Sequence, residues 1–389
     1  MKPLAAARNT IGNTLALTED RDLNPSGTSR VLAGVVSIPV LLGLIVAAWV
    51  RGNSGPRDIL LGFGISAVMA VGYQVFVGAT GIVSFGHVAF AGIGAYVAGV
   101  LTVPVDLKST ILPHLPAWLA QREVGLIPSL LLAALVAAVV ALVTGVVVLR
   151  LSGTAGGIAT LAILVITNEV LRNAETYTRG TQTFFGVPAR ADVRGVFGTL
   201  CVVVAIAVAF KLSRAGLKAR AVRDDPLAAE TSGISVVRTR LAPWILSAAI
   251  TGAGGALWAQ QLTAFSPKTF YIGASVPIIV MVVLGGVNSV TGAITGAVVV
   301  TLLQEFLRRV EAGSLFGLAV PSVNGVAQLA LGVVLIALLS RRTRGLMGGL
   351  ELEFRRKGTS AYSSGRGPSA HGTAGVQAGV AGQVQVGGH

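Results

Sequence analysis

Charge is scarce in this chain. Of its 389 residues only 12% are Asp, Glu, Lys or Arg, about half the ~25% of an ordinary soluble domain, so soluble domains of this total length would lack the polar surface they need. One cysteine, Cys201, lies in an apolar run, which excludes a disulfide framework within the chain and a cysteine-based metal cluster. His371 and His389 stand too far apart in a glycine-rich tail to imply a metal site, so no metal and no cofactor are expected. There is no Gly-Lys dipeptide anywhere, so the phosphate-cradling Gly-x4-Gly-Lys-Ser/Thr loop is absent and the chain is not its own ATPase. Within the apolar runs the ionisable residues are almost confined to His87 and Glu169, whereas ion-driven carriers typically place carboxylates or histidines at mid-membrane. No cluster of nucleophile, base and orienter appears, so an enzyme is not expected. The first 30 residues include Glu19, Asp20 and Asp22 with no apolar core, which argues against a signal peptide.

What is abundant is apolar sequence: 53% hydrophobic residues, a mean hydropathy of +0.77 and 50 glycines. Glycine is tolerated in membrane helices and lets backbones approach closely. Uncharged stretches run over 31–50, 59–105, 124–149, 151–168, 195–210, 241–267, 269–304 and 312–340. Each is near or above the ~20 residues that cross a hydrocarbon core, and two are long enough to cross twice. Both of those are interrupted by glycine, at Gly78 to His87 and at Gly285 to Gly292. The pattern predicts an all-α polytopic membrane protein of about ten transmembrane helices, at 31–50, 59–77, 88–105, 125–149, 157–171, 195–210, 243–262, 272–287, 291–307 and 324–340. Residues 1–30 read as a cytoplasmic arm, 31–344 as the membrane domain with a basic loop over 211–240, and 345–389 as a flexible low-complexity tail.

The net charge of +14 is explained by topology. With both termini inside, Lys and Arg divide 19 on the cytoplasmic side to 11 outside, as the positive-inside rule asks. Nucleic acid is not an expected partner, because no aromatic-flanked basic motif or soluble domain is there to present it. In the basic loop, Pro226 follows Asp224 and Asp225, a helix start with acidic residues at the positive helix terminus and proline at the first position.

Four segments resemble branched-chain amino acid ABC transporter permeases, the LivM type especially. They are Gly72 to Tyr96, containing Gly78-Ala-Thr80-Gly81-Ile-Val-Ser84-Phe-Gly86-His87; Thr178-Arg179-Gly180-Thr181, where the family usually has glycine in place of Arg179; Arg220 to Ile234; and Met281 to Gly292. The resemblance covers about residues 59–344. It implies an ABC importer permease fold and a heteromeric assembly of two permease subunits, two cytoplasmic ATP-binding subunits and an extracytoplasmic solute-binding protein, in a bacterial or archaeal-type plasma membrane. It implies a small, aliphatic amino acid as solute, with urea or a short amide as the alternative within the same build. A self-sufficient ion-coupled carrier is the alternative from another class. Importer permeases in general carry Glu-Ala-Ala, three residues and Gly; here Leu227 stands at the Glu position, followed by Ala228, Ala229 and Gly233.

Two candidate sites follow. Arg220, Arg223, Asp224, Ala228, Ala229 and Gly233 would couple the chain to the ATPase, the small residues entering a groove and the arginines docking beside them. Thr80, Gly81, Ser84 and His87 at one break, and Gly285, Asn288 and Ser289 at the other, would line or border the solute path, since broken helices free polar groups in the bilayer. The competing reading is structural: His87 as a capped polar residue beside Ser84, and Gly92, Gly94, Gly252, Gly254, Gly255 and Gly296 as small residues for close packing. Glu169 and Arg172 read as an interfacial ion pair.

Overall fold

The computed structural model describes residues 55–151 and 153–311, with the short pieces 15–19, 314–315, 318–319, 332–333, 346 and 350–354. Apart from those pieces, the spans expected over 31–50 and 324–340, the N-terminal arm and the C-terminal tail lie outside the described residues. The described helices are α1 (Gly55–Thr80), α2 (His87–Thr102), α3 (Val105–Ile111), α4 (Ala117–Ala120), α5 (Leu126–Val148), α6 (Gly153–Asn173), α7 (Glu175–Thr178), α8 (Val193–Leu212), α9 (Arg214–Asp224), α10 (Pro226–Thr231), α11 (Val236–Leu262), α12 (Ile272–Gly285) and α13 (Val290–Glu311), with a 3-10 turn at Pro267–Phe270. Two short antiparallel pairings join Leu15–Glu19 to Leu350–Phe354 and Ser314–Leu315 to Leu318–Ala319.

Eight of the ten predicted spans fall on α1, α2, α5, α6, α8, α11, α12 and α13. Seven described helices are long and apolar enough to cross a membrane, and α2 with α3 forms a further candidate pair bent by 119°. The count of ten is therefore not reached among the described residues. α2 has 16 residues, about 24 Å of helix at 1.5 Å per residue, less than a ~30 Å hydrocarbon core. Its first turn, His87 to Phe90, is buried, and the extended Val103-Pro104 ends it.

α11 is the central helix and packs on α1, α2 and α5. A Cβ on Gly94 would stand 2.0 Å from the Gly252 carbonyl oxygen, and one on Gly255 1.9 Å from that of Ala91. Only glycine permits this approach, the packing role expected for these positions. α5 is apolar all round, so its inward face is chosen by size. Ala133, Ala137, Ala141 and Gly145 are buried at every fourth position, and Leu131, Leu135, Val139, Val143 and Val147 lie exposed on the other face. Large apolar side chains outward and small ones inward suit a helix whose solvent is lipid.

At one end of the bundle the loops are pinned to one another. Phe184 and Phe265 exchange backbone hydrogen bonds of 2.7 and 2.9 Å, and their rings stack with centroids 5.4 Å apart. Arg190 pairs with Glu123 and donates to the Val124 carbonyl at 3.0 Å. The fully buried Lys108 donates to the carbonyls of Leu119, at 3.2 Å, and Arg122, which closes the last turn of α4. Burial pushes the Lys108 pKa below its ordinary value, and the negative charge of Glu123 partly restores it. Arg179 has φ 63°, a left-handed conformation that accounts for glycine being usual there. Its guanidinium holds the turn through the Thr183 carbonyl at 2.8 Å and lies over the Phe185 ring.

Candidate functional site

The first break follows Thr80. Gly81 has φ +71°, and the chain then turns back along α1, so that the Ser84 amide donates to the Tyr73 hydroxyl at 3.2 Å. Thr80 is buried and donates to the Phe76 carbonyl at 2.9 Å. Nδ1 of His87 lies 2.8 Å from the Ser84 hydroxyl, and Nε2 bonds the Ser247 hydroxyl of α11. A neutral imidazole donates from one nitrogen and accepts at the other, so these two hydroxyls satisfy the ring. Tyr73, Phe76, Phe90 and Trp244 enclose it at centroid distances of 5.1, 5.2, 6.0 and 5.2 Å. His87 is 1% exposed. Thr80, Ser84 and His87 thus fasten the break into the core.

The second break joins α12 to α13. Gly286, with φ +124°, turns the chain. Gly285 serves a different need, since a Cβ there would stand 1.8 Å from the Gly292 carbonyl oxygen, and one on Gly296 equally close to that of Met281. Ser289 is buried, and its hydroxyl accepts from the Gly292 amide at 2.9 Å. Asn288 is exposed.

The basic loop folds as two short helices. Ser213 caps α9 by accepting from the Gly216 amide. Asp225 caps α10 by accepting from the Leu227 and Ala228 amides, both at 3.0 Å, with Pro226 at the first position, which is the helix start predicted for this segment. α10 ends with Gly233 at φ +77°. The Gly233 amide bonds the Glu230 carbonyl and the Ile234 amide that of Ala229, a Schellman closure. Ala229 is buried, Ala228 is exposed and Leu227 is 72% exposed.

These three segments converge. Nη1 of Arg223 donates to the Gly78 carbonyl at 2.6 Å and to Oδ1 of Asn288 at 2.7 Å, so that one guanidinium joins both breaks. The same guanidinium pairs with Asp224 at 3.1 Å. Nζ of Lys211 donates to the Asn288 carbonyl at 2.7 Å, and Nε2 of Gln74 to that of Val287 at 3.1 Å. A Cβ on Gly81 would stand 3.0 Å from Cγ of Arg223. Arg220 lines the same crevice. Arg223 therefore faces inward, toward the breaks. Sequence reasoning missed Gln74, Lys211 and Ser247; Gln74, a lone amide in an apolar run, was the available signal.

Residues 55–339 match the model of a family described as Branched-chain amino acid transport system / permease component. The chain is 27% identical over 339 residues to the High-affinity branched-chain amino acid transport system permease protein LivM of Salmonella typhimurium, covering 78% of this chain and 73% of that protein. It is 26% identical to LivM of Escherichia coli over 79% of this chain and 74% of that protein. A shorter likeness, 43% identity over 75 residues, links it to the Nucleoside ABC transporter permease protein NupC of Lactococcus lactis, over 18% of this chain and 24% of that one. No solved structure matches. The family match takes in most of the chain and both breaks, and the chain accordingly belongs to the permease components of branched-chain amino acid transport systems.

Proposed function

We propose that this chain is the permease subunit of an ATP-driven importer that carries a branched-chain or other aliphatic amino acid across a bacterial or archaeal-type plasma membrane. The observation that carries the reading is the Arg223 guanidinium, bound at once to the Gly78 carbonyl and the Asn288 side chain. An ATP-binding subunit docked on α10, with Leu227 and Ala228 on its exposed face, would move α9, and α9 carries Arg223 to both breaks. The breaks, with Gly81, Gly285, Asn288 and Ser289, form the cytoplasmic closure of the path in this reading, and the buried Thr80, Ser84 and His87 hold its shape. Arg220, Asp224 and Gly233 complete the coupling segment, Gly233 by closing α10. A second permease subunit and an extracytoplasmic solute-binding protein complete the assembly, with both termini cytoplasmic. The amino acid solute is supported by the LivM relatives, which cover more than two thirds of their own length here.

The test is leucine uptake by proteoliposomes holding this chain with its ATP-binding, permease and solute-binding partners. Uptake that requires ATP and all partners is expected. Gradient-driven uptake by this chain alone would establish an ion-coupled carrier, and ATP-dependent uptake of urea in place of leucine would establish the amide importer.

A further inference from the structure

A cavity of about 330 Å³ lies between α1, α11, α12 and α13, away from both breaks, within the size range of small-ligand pockets. Its polar groups come from four different elements: Ser66 of α1, Gln261 of α11, Thr269 of the 3-10 turn and Gln304 of α13. Its apolar wall includes Met69, Ile278 and Met281. Among the described residues, no Asp, Glu, Lys, Arg or His lines it. Among the described residues, neither the Ser66 hydroxyl nor the Gln304 amide has a hydrogen-bond partner. Polar side chains inside a membrane bundle are costly and mark pathways when packing does not employ them.

The backbone adds to this. Pro277 in α12 has no N–H, so the carbonyl of Gly273, which also lines the cavity, lacks its helical donor. Tyr271 gives α12 no side-chain cap, and its carbonyl takes the Ala274 amide at 3.0 Å, which leaves the Gly273 amide at the cavity for an anion. A Cβ on Gly273 would meet nothing within 4 Å.

From this arrangement we infer that the cavity is a transit site for a net-neutral, zwitterionic aliphatic amino acid. The solute carboxylate faces the Gly273 amide and the Ser66 hydroxyl, its ammonium faces the Gly273 carbonyl and the glutamine side-chain oxygens, and its aliphatic group lies on Met69, Ile278 and Met281. A solute of net charge would need a counter-charge that the lining does not hold, and neutral dipoles bind weakly enough to let the solute leave. The proposal rests on the importer reading above and adds the place where the solute is held.

The assay uses the complete importer in proteoliposomes. Leucine placed at Gly273 fills free space, so Gly273→Leu is expected to raise the KM for leucine about tenfold or more and to shift preference toward alanine, as one or two methylenes in an apolar pocket do. A second variant covers poor folding of the first: Ser66→Cys in a Cys201→Ser background should react with a thiol reagent more slowly in the presence of leucine, and at an unchanged rate with urea or adenosine. Leucine protection of Ser66→Cys supports the site whether or not Gly273→Leu folds. Wild-type leucine KM and selectivity in Gly273→Leu, or absence of leucine protection, overturns it. Protection by adenosine or urea instead replaces the solute class. Failure of the unaltered importer to take up leucine overturns the functional reading itself.

Discussion

Arg223 and Asn288 stand 65 residues apart in the chain and 2.7 Å apart in space. Their bond joins the basic helix α9 to the turn between two membrane helices, and the same nitrogen reaches the Gly78 carbonyl on a third. A docking charge would lie outward on the surface; this one ties a peripheral segment to the places where the membrane helices stop.

Arg223→Ala should therefore lower leucine uptake at least tenfold with normal amounts of protein in the membrane, the loss of charged hydrogen bonds worth about 1.5–3 kcal/mol each. Arg223→Lys should rescue little, because a single ammonium does not reproduce the planar fork. Asn288→Ala combined with Arg223→Ala should be no worse than Arg223→Ala alone. Additive losses in that double-mutant cycle would separate the two residues.

Leu227 is exposed beside the buried Ala229 on α10. Leu227→Asp is expected to remove stimulation of the partner ATPase while leaving the thermal midpoint of the purified chain unchanged. Ala229→Leu should instead lower that midpoint. Gly233→Val should be worse for uptake than Gly233→Asn, since asparagine tolerates the left-handed conformation that closes α10. Full ATPase stimulation in Leu227→Asp would move the docking surface elsewhere.

His87 separates structure from transport. His87→Ala leaves two buried hydroxyls without their partner and a hole among four aromatic rings, at a cost of about 2–5 kcal/mol. Thermal denaturation in detergent should show that loss, and uptake per folded molecule should stay near wild type. Normal stability with altered solute selectivity would place His87 on the path.

Lys108 sets a pH dependence. Its pKa is lowered in the fold, so the folded protein holds that proton less tightly than the unfolded chain, and stability contributed through this group rises as pH climbs toward the ordinary value of 10.5. Lys108→Met should be less stable by about 1–3 kcal/mol through loss of the bonds to Leu119 and Arg122. Its deficit should widen as pH rises toward 10.5 when thermal midpoints are compared; a constant gap would contradict the lowered pKa.

Much of this was readable beforehand. Runs of uncharged residues marked the helices, the glycine clusters marked both breaks, and Asp225-Pro226 marked the start of α10, because each is a local signal of solvation or backbone geometry. The partners of those features were not local. Ser247 meets His87 from 160 residues away and Arg223 meets Gly78 from 145, and no single sequence encodes such pairings by period. The inward face of α5 was hidden from a hydrophobicity argument, since both faces are apolar; the recurrence of Ala133, Ala137, Ala141 and Gly145 carries it by volume instead. The cavity was missed because its four polar residues come from four elements.

The near-contact of backbones at Gly285, Gly292 and Gly296 locks α12 and α13 together at one crossing. Without side chains between them at the crossing there is no rotamer to flex and absorb a tilt, so a motion imposed at Asn288 would carry α12 with it as far as Pro277, where the helix gives up one hydrogen bond. That helix has 14 residues, about 21 Å at 1.5 Å per residue, and its far end, at Gly273 and Ala274, opens on the cavity. A push on Arg223 would in this way reach the wall of the cavity through backbone contacts at the crossing.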